Sequence, residues 1–264
     1  VSATSALQGH GEIAYGNAVG SVICNTALIA ALTVAIKPSK VDKRSLLSPV
    51  LFFFTAAAYY LFNAYVLGGF SRIAGIILVT IFVLYMLFTV NQGRKNPVSH
   101  PTEGGKEEPL GKSILLLVVG AVLIALGANL LVDNGILIAQ GLGVPESVIA
   151  LTFVALGTSL PELVTAVTSL LKGHGALSLG NIIGANLFNL VLVSGVSVLL
   201  SPFSLPHGTT IAGYNASLVL DLPVMVLVMG ILTLPALFKG KLSRWQGVTL
   251  LGIYFGFCIL QFVL

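Results

Sequence analysis

Thr4-Ser5-Ala6-Leu7-Gln8-Gly9-His10-Gly11 reappears 164 residues later as Thr168-Ser169-Leu170-Leu171-Lys172-Gly173-His174-Gly175. The match continues downstream. Gly16-Asn17-x-x-Gly20 meets Gly180-Asn181-x-x-Gly184, and Asn25 meets Asn189; over residues 1–28, 11 positions are identical. An apolar chain matches Leu with Val by chance. It does not align Gly-His-Gly, Gly-Asn and a further Asn in register, so the chain is read as an internal duplication.

The duplicated unit lies in a membrane chain. Of 264 residues, 56% are hydrophobic and 8% charged, with a mean hydropathy of +1.01. That is far below the roughly 25% charged residues of a soluble domain. Apolar runs of the length a helix needs to cross a bilayer recur throughout. The 10-residue alternation of a membrane barrel is absent. The expected fold is an all-α, polytopic transmembrane bundle with spans near 13–36, 46–67, 70–91, 112–134, 146–171, 176–200, 213–237 and 244–264. Residues 1–8 read as the tail of a further span. Three blocks follow: a first half at 1–91 with a partial first repeat at 1–36, a polar linker at 92–111, and a second half at 112–264 holding the complete second repeat at 146–200.

Alternate loops hold 12 of the 13 Lys and Arg residues: Lys37, Lys40, Lys43 and Arg44; Arg94, Lys95, Lys106 and Lys112; Lys172; Lys239, Lys241 and Arg244. By the positive-inside rule these loops face the cytoplasm and the C-terminus lies outside. The basic residues are explained by topology, and nothing points to nucleic acid. Gly9-His10-Gly11 then falls outside and Gly173-His174-Gly175 inside. The two copies are expected to be inverted, the plan of many secondary transporters with a site near the bilayer midplane.

Within the second repeat, Ala155-Leu156-Gly157-Thr158-Ser159-Leu160-Pro161-Glu162 is polar at mid-span. Pro161 has no N–H to offer the Gly157 carbonyl, so the helix is expected to break. Such a break is tolerated at membrane depth only where protein or a water-filled cavity satisfies the backbone. Thr158, Ser159 and Glu162 share one helical face and offer a carboxylate and two hydroxyls, hard oxygen ligands suited to calcium and sodium. A Glu at mid-span costs about 3 kcal/mol on insertion scales and reads as functional. The bland readings are back-bonding of the hydroxyls to their own helix and interhelical hydrogen bonding for Asn25 and Asn189. Asn17 and Asn181 read as packing residues, His10 and His174 as turn formers, Asp221 as interfacial, and Asp133 and Glu146 as solvated.

The Gly157–Glu162 segment, followed by Gly180-Asn181-Ile182-Ile183-Gly184-Ala185-Asn186-Leu187-Phe188-Asn189, resembles the cation/calcium exchanger superfamily, above all prokaryotic sodium/calcium exchangers. The resemblance covers the whole chain. It implies ten spans with repeats in spans two to three and seven to eight, and a membrane antiporter, not an enzyme, in the prokaryotic plasma membrane. Its ions are transient calcium and sodium, with no resident cofactor. It implies Glu162 as a calcium and sodium carboxylate, Thr158 and Ser159 as sodium ligands, Ala155 as a backbone carbonyl ligand, and Asn189, Ser21 and Asn25 as polar ligands. Ala185 departs from the Ser usual there. The first repeat's own G-T-S-x-P-E segment would precede Val1, so the N-terminal part of that repeat is expected elsewhere in the full-length protein. Proton-coupled calcium or cation antiport, or a passive cation channel, are the rival readings.

Overall fold

The computed structural model describes residues 1–95, 110–141, 143, 145–171, 175–207 and 209–264. Ten helices are described. They are α1 (Ser2–Leu7), α2 (Gly11–Ile36), α3 (Lys43–Val66), α4 (Arg72–Lys95), α5 (Leu110–Gly141), α6 (Glu146–Thr158), α7 (Leu160–Leu171), α8 (Gly175–Leu187, continuing through Phe188–Val193 and Ser194–Leu200), α9 (Ser217–Lys239) and α10 (Arg244–Val263). Their ends follow from local chemistry. Asp42 caps α3 by accepting from the Arg44 and Ser45 N–H groups at 3.1 and 3.2 Å. Ser243 and Gln246 form a reciprocal capping box at the start of α10.

Six of these helices are long and apolar enough to cross a membrane, and seven if α6 and α7, which meet at 47°, make one broken span. The expectation was eight full spans. The one at 112–134 falls in α5, whose described apolar part is Leu110–Gly120. Helix α5 runs on to Gly141, through most of the loop expected at 135–145, because nothing before Gly143 and Pro145 stops it. The expected linker is helical at both ends; 96–109 lie outside the described residues, as does the Gly173-His174 part of the second turn.

The structure is not purely helical. Gly69–Phe70 (β1) pairs antiparallel with Phe203–Ser204 (β2), and Thr210–Ile211 (β3) with Tyr214–Asn215 (β4). Loops returning at a helix end leave backbone groups that must find partners. Here they find each other. Ala212 and Gly213, at φ of 50° and 83°, make the tight turn between β3 and β4.

Helix α2 is central. Of its apolar window 78% is buried, against 17% for α4, whose Ile73, Ile76, Leu84 and Leu87 are exposed. In water such a face would be a liability; in lipid it is the expected surface. Gly16 and Gly20 let α2 approach α6. A Cβ at Gly16 would lie 2.6 Å from the Ala150 Cβ, and one at Gly20 would lie 2.5 Å from the Leu151 carbonyl oxygen. Among the described residues four π-helical turns interrupt the bundle, at Asn25–Ala30, Ala150–Val154, Phe188–Val193 and Ser217–Asp221. Such turns widen a helix locally and gather at functional sites.

The basic loops meet at one end. Lys40 bridges Lys241, the Lys43 Nζ donates to the Phe238 carbonyl at 2.6 Å, and the Arg244 Nε donates to the Ala35 carbonyl at 2.9 Å. At the other end β1 joins β2, the His207 N–H donates to Glu12 at 3.4 Å, and the His10 Nδ1 lies 3.1 Å from the Glu146 Oε2. His10 and Glu146, read from sequence as a turn former and a solvated acid, thus tie the start of α2 to the start of α6.

Candidate ion site

The polar break forms where the sequence places it. Helix α6 stops at Thr158 and α7 starts at Leu160, with Ser159 between them. The Ser159 N–H donates to the Ala155 and Leu156 carbonyls, each at 3.1 Å. The Ala155 carbonyl also lies 3.2 Å from the Thr158 hydroxyl, so it comes to the site with hydrogen bonds already made.

Helix α2 presents Asn17, Ser21 and Asn25, spaced four apart on one face, toward this break. The Thr158 Oγ1 lies 2.7 Å from the Asn17 Oδ1 and 3.2 Å from the Ser21 Oγ. The Ser21 hydroxyl reaches the same Asn17 oxygen at 3.5 Å, and the Asn17 Nδ2 donates to the Ser2 Oγ at 2.6 Å. Across from them Asn189, in the π-helical turn of α8, lines a cleft of about 360 Å³ with Ser2, Asn17 and Thr158. Asn17, Thr158 and Asn189 therefore surround one space, and Ser21 reaches its wall through Thr158. Asn17, read as a packing residue, is the hub of this network. Its i, i+4, i+8 register with Ser21 and Asn25 was the sequence signal that could have identified it.

A second group lies one turn further along α2. The Asn25 side chain is fully buried with neither its Oδ1 nor its Nδ2 partnered; the Ser159 Oγ and the Glu162 Oε2 are likewise buried and unpartnered. The Asn25 π-helical turn packs against α7, and neighbouring Cys24 lies near Ser159 and Glu162 without a hydrogen bond to Ser159. Buried polar atoms without partners are rare in native proteins because each forfeits its hydration. Here three different oxygens are left so around one helix break. The donor set is one carboxylate, a hydroxyl and an amide oxygen, which fits a hard cation. Among the described residues no three His, Cys, Asp or Glu side chains gather as a soft-metal site would require.

Two other residues differ from expectation. Asp221, read as interfacial, lies one turn into α9 and is 2% exposed, accepting from the Gln261 Nε2 at 2.5 Å. The π-helical turn at Ser217–Asp221 rotates it inward, which no helical periodicity foretells. Asn186, quoted above only as part of a motif, is fully buried. Its Nδ2 donates to the Thr26 Oγ1 at 2.7 Å, and its Oδ1 is unpartnered. Asn181, in contrast, is exposed.

A polytopic bundle with a broken helix facing a polar face of its central helix has the form of a membrane transporter's ion site. Comparison with known proteins gives the family. The model for "Sodium/calcium exchanger protein" matches residues 1–91 and 112–263, and the chain belongs to that family. The putative antiporter CaxA of Alkalimonas amylolytica is 34% identical, over 99% of this chain and 82% of its own length. The sodium/calcium exchanger MaX1 of Methanosarcina acetivorans is 38% identical over 61% of this chain and 42% of its own. Among solved structures, the sodium-calcium exchanger NCX_Mj superposes with a TM-score of 0.72 at 31% identity, covering 96% of this chain and 78% of that one. The chain is a cation/calcium exchanger of the prokaryotic type, an integral membrane antiporter.

Proposed function

We propose that the chain exchanges sodium for calcium at a midplane site built from Glu162, Thr158, Ser159, Asn189, Asn25 and Ser21, with the Ala155 carbonyl at its edge. One observation carries this reading: the Glu162 Oε2, the Ser159 Oγ and the Asn25 Oδ1 are buried at the helix break without partners. A bound cation supplies the missing partner. The two ions compete because the same oxygens balance either one calcium or several sodium ions, never both loads, so entry of one requires exit of the other.

The inverted repeat supports alternating access. The π-helical turns of α2 and α8 begin at Asn25 and Phe188, which correspond under the repeat offset to within one residue. Corresponding segments thus carry the same local distortion on helices that enter the membrane from opposite ends. The positive-inside rule assigns the end carrying Lys40, Lys43, Lys241 and Arg244 to the cytoplasm of a prokaryotic cell, leaving the C-terminus outside. Repeat logic also asks for a second carboxylate. Gly16 and Gly20 seat α2 on Ala150 and Leu151, whereas a Cβ at Gly180 would meet no described atom within 4 Å and one at Gly184 would meet only the Tyr85 hydroxyl, at 4.0 Å. That open face is the seat for an equivalent helix carrying the first repeat's carboxylate.

The test is radioactive calcium uptake into vesicles driven by an outward sodium gradient. The wild-type protein is expected to take up calcium, and Glu162→Gln to lose at least about tenfold of the rate, equivalent to about 1.4 kcal/mol. Unchanged uptake in the variant would sink the site. Uptake that follows a pH gradient in sodium-free buffer would replace sodium by protons as the coupling ion.

A further inference from the structure

A second acidic group lies inside the bundle, apart from the helix break. Asp221 sits in the first π-helical turn of α9, 2% exposed, and Gln261 of α10 donates to its Oδ1 at 2.5 Å. From α2 the Tyr15 side chain faces Ser217 and Asp221. Tyr15 is fully buried, and Ser217 interacts with both its hydroxyl and the Asp221 carboxylate. From α3, Tyr60 and Tyr65 act on Tyr15, while Ser217 of α9 and the uncharged amide of Gln261 from α10 act on Asp221. The groups acting on Asp221 include no Lys, Arg or His. A carboxylate in a membrane span without a cation is costly, and such residues mark ion or proton pathways.

We propose that Asp221 is a proton-binding site separate from the Glu162 site, and that its protonation is read by α2 through Tyr15. The chemistry balances simply: the carboxylate takes one proton and becomes a neutral carboxyl, and Ser217, which interacts with both Asp221 and Tyr15, passes the change in hydrogen bonding on to the Tyr15 hydroxyl. A divalent cation fits less well, since one carboxylate would face its two charges among a single amide and two hydroxyls. The proton enters from the end of the bundle that holds β3 and β4, because α9 starts there at Ser217. Tyr15 stands on the helix that carries Asn17, Ser21 and Asn25, so a change in its hydrogen bonding acts on the helix that lines the ion site.

The experiment is infrared difference spectroscopy of the protein in vesicles during a pH titration, paired with exchange rates across the same pH range. A protonated-carboxyl band should grow in at low pH and persist in Glu162→Gln. It should disappear in Asp221→Asn, return in Asp221→Glu, and shift in frequency both in Ser217→Ala and in Tyr15→Phe, which cut the connection to α2 at its two ends. The pH profile of exchange should lose one limb in Asp221→Asn. A wild-type spectrum without such a band, or a band untouched by Asp221→Asn, overturns the proposal. If Asp221→Asn does not fold, a band unmoved in Tyr15→Phe overturns it instead. The infrared result does not depend on which cation is transported, so it stands apart from the outcome of the Glu162 test.

Discussion

Replacing Gly20 by Ala tests whether α2 and α6 are held at the spacing the ion site requires. The added Cβ would lie 2.5 Å from the Leu151 carbonyl oxygen and 2.8 Å from the Ala155 Cβ, where ordinary contact begins near 3.4 Å. The first partner is backbone, so no side-chain rotation relieves the clash. The helices must separate by about 0.9 Å, a displacement that overpacking studies associate with about 1–3 kcal/mol. That separation acts on the site, because Ser21 follows Gly20 and its hydroxyl lies 3.2 Å from that of Thr158 across the same interface. Moved to about 4 Å, the pair no longer makes a hydrogen bond. Gly20→Ala is therefore expected to lower thermal stability in detergent and to reduce sodium-driven calcium uptake by about fivefold or more. Gly256→Ala on α10 is the control: its Cβ meets nothing within 4 Å, and Ala is the better helix former. A Gly20→Ala protein as stable and as active as Gly256→Ala would refute the argument that close α2–α6 packing sets the site.

Other expectations follow from the same contacts. Thr158→Val keeps the shape but leaves the Asn17 Oδ1 with Ser21 alone at 3.5 Å; a loss of about 1–3 kcal/mol should appear in unfolding measurements, and Thr158→Ser should restore it. Gly184→Ala, harmless against the described residues, should impair the full-length exchanger if an equivalent helix seats there, and unchanged flux would count against that seat. Single cysteines at Ser201 and Lys241 should react with an impermeant thiol reagent from opposite sides of sealed vesicles. Labelling of both from one side would contradict the proposed orientation.

Much of the fold was legible in the chain. Apolar run length marks spans because the bilayer has a fixed thickness, and α2, α3, α9 and α10 lie within a few residues of expectation. The break at Ser159 was legible because Pro161 removes a hydrogen bond whatever surrounds it. The gathering of Lys40, Lys43, Lys241 and Arg244 at one end follows from their alternation between loops. The short strand pairs were not foreseen, since they arise only where two distant loops return side by side.

By itself, then, the sequence determined that this is a repeated membrane bundle with a polar break, and its motifs named the exchanger family. Only the tertiary structure decided which polar atoms meet. Asn17 and Asn181 occupy the same place in the two repeats, yet Asn17 joins Ser2, Ser21 and Thr158 while Asn181 is exposed. Periodicity shows which residues share a face of their own helix, but not what that face meets. The inward turn of Asp221 and the unpartnered oxygens of Asn25, Ser159 and Glu162 depend on helices brought together from distant parts of the chain. A polar atom's missing partner is a property of that assembly, and no local pattern contains it.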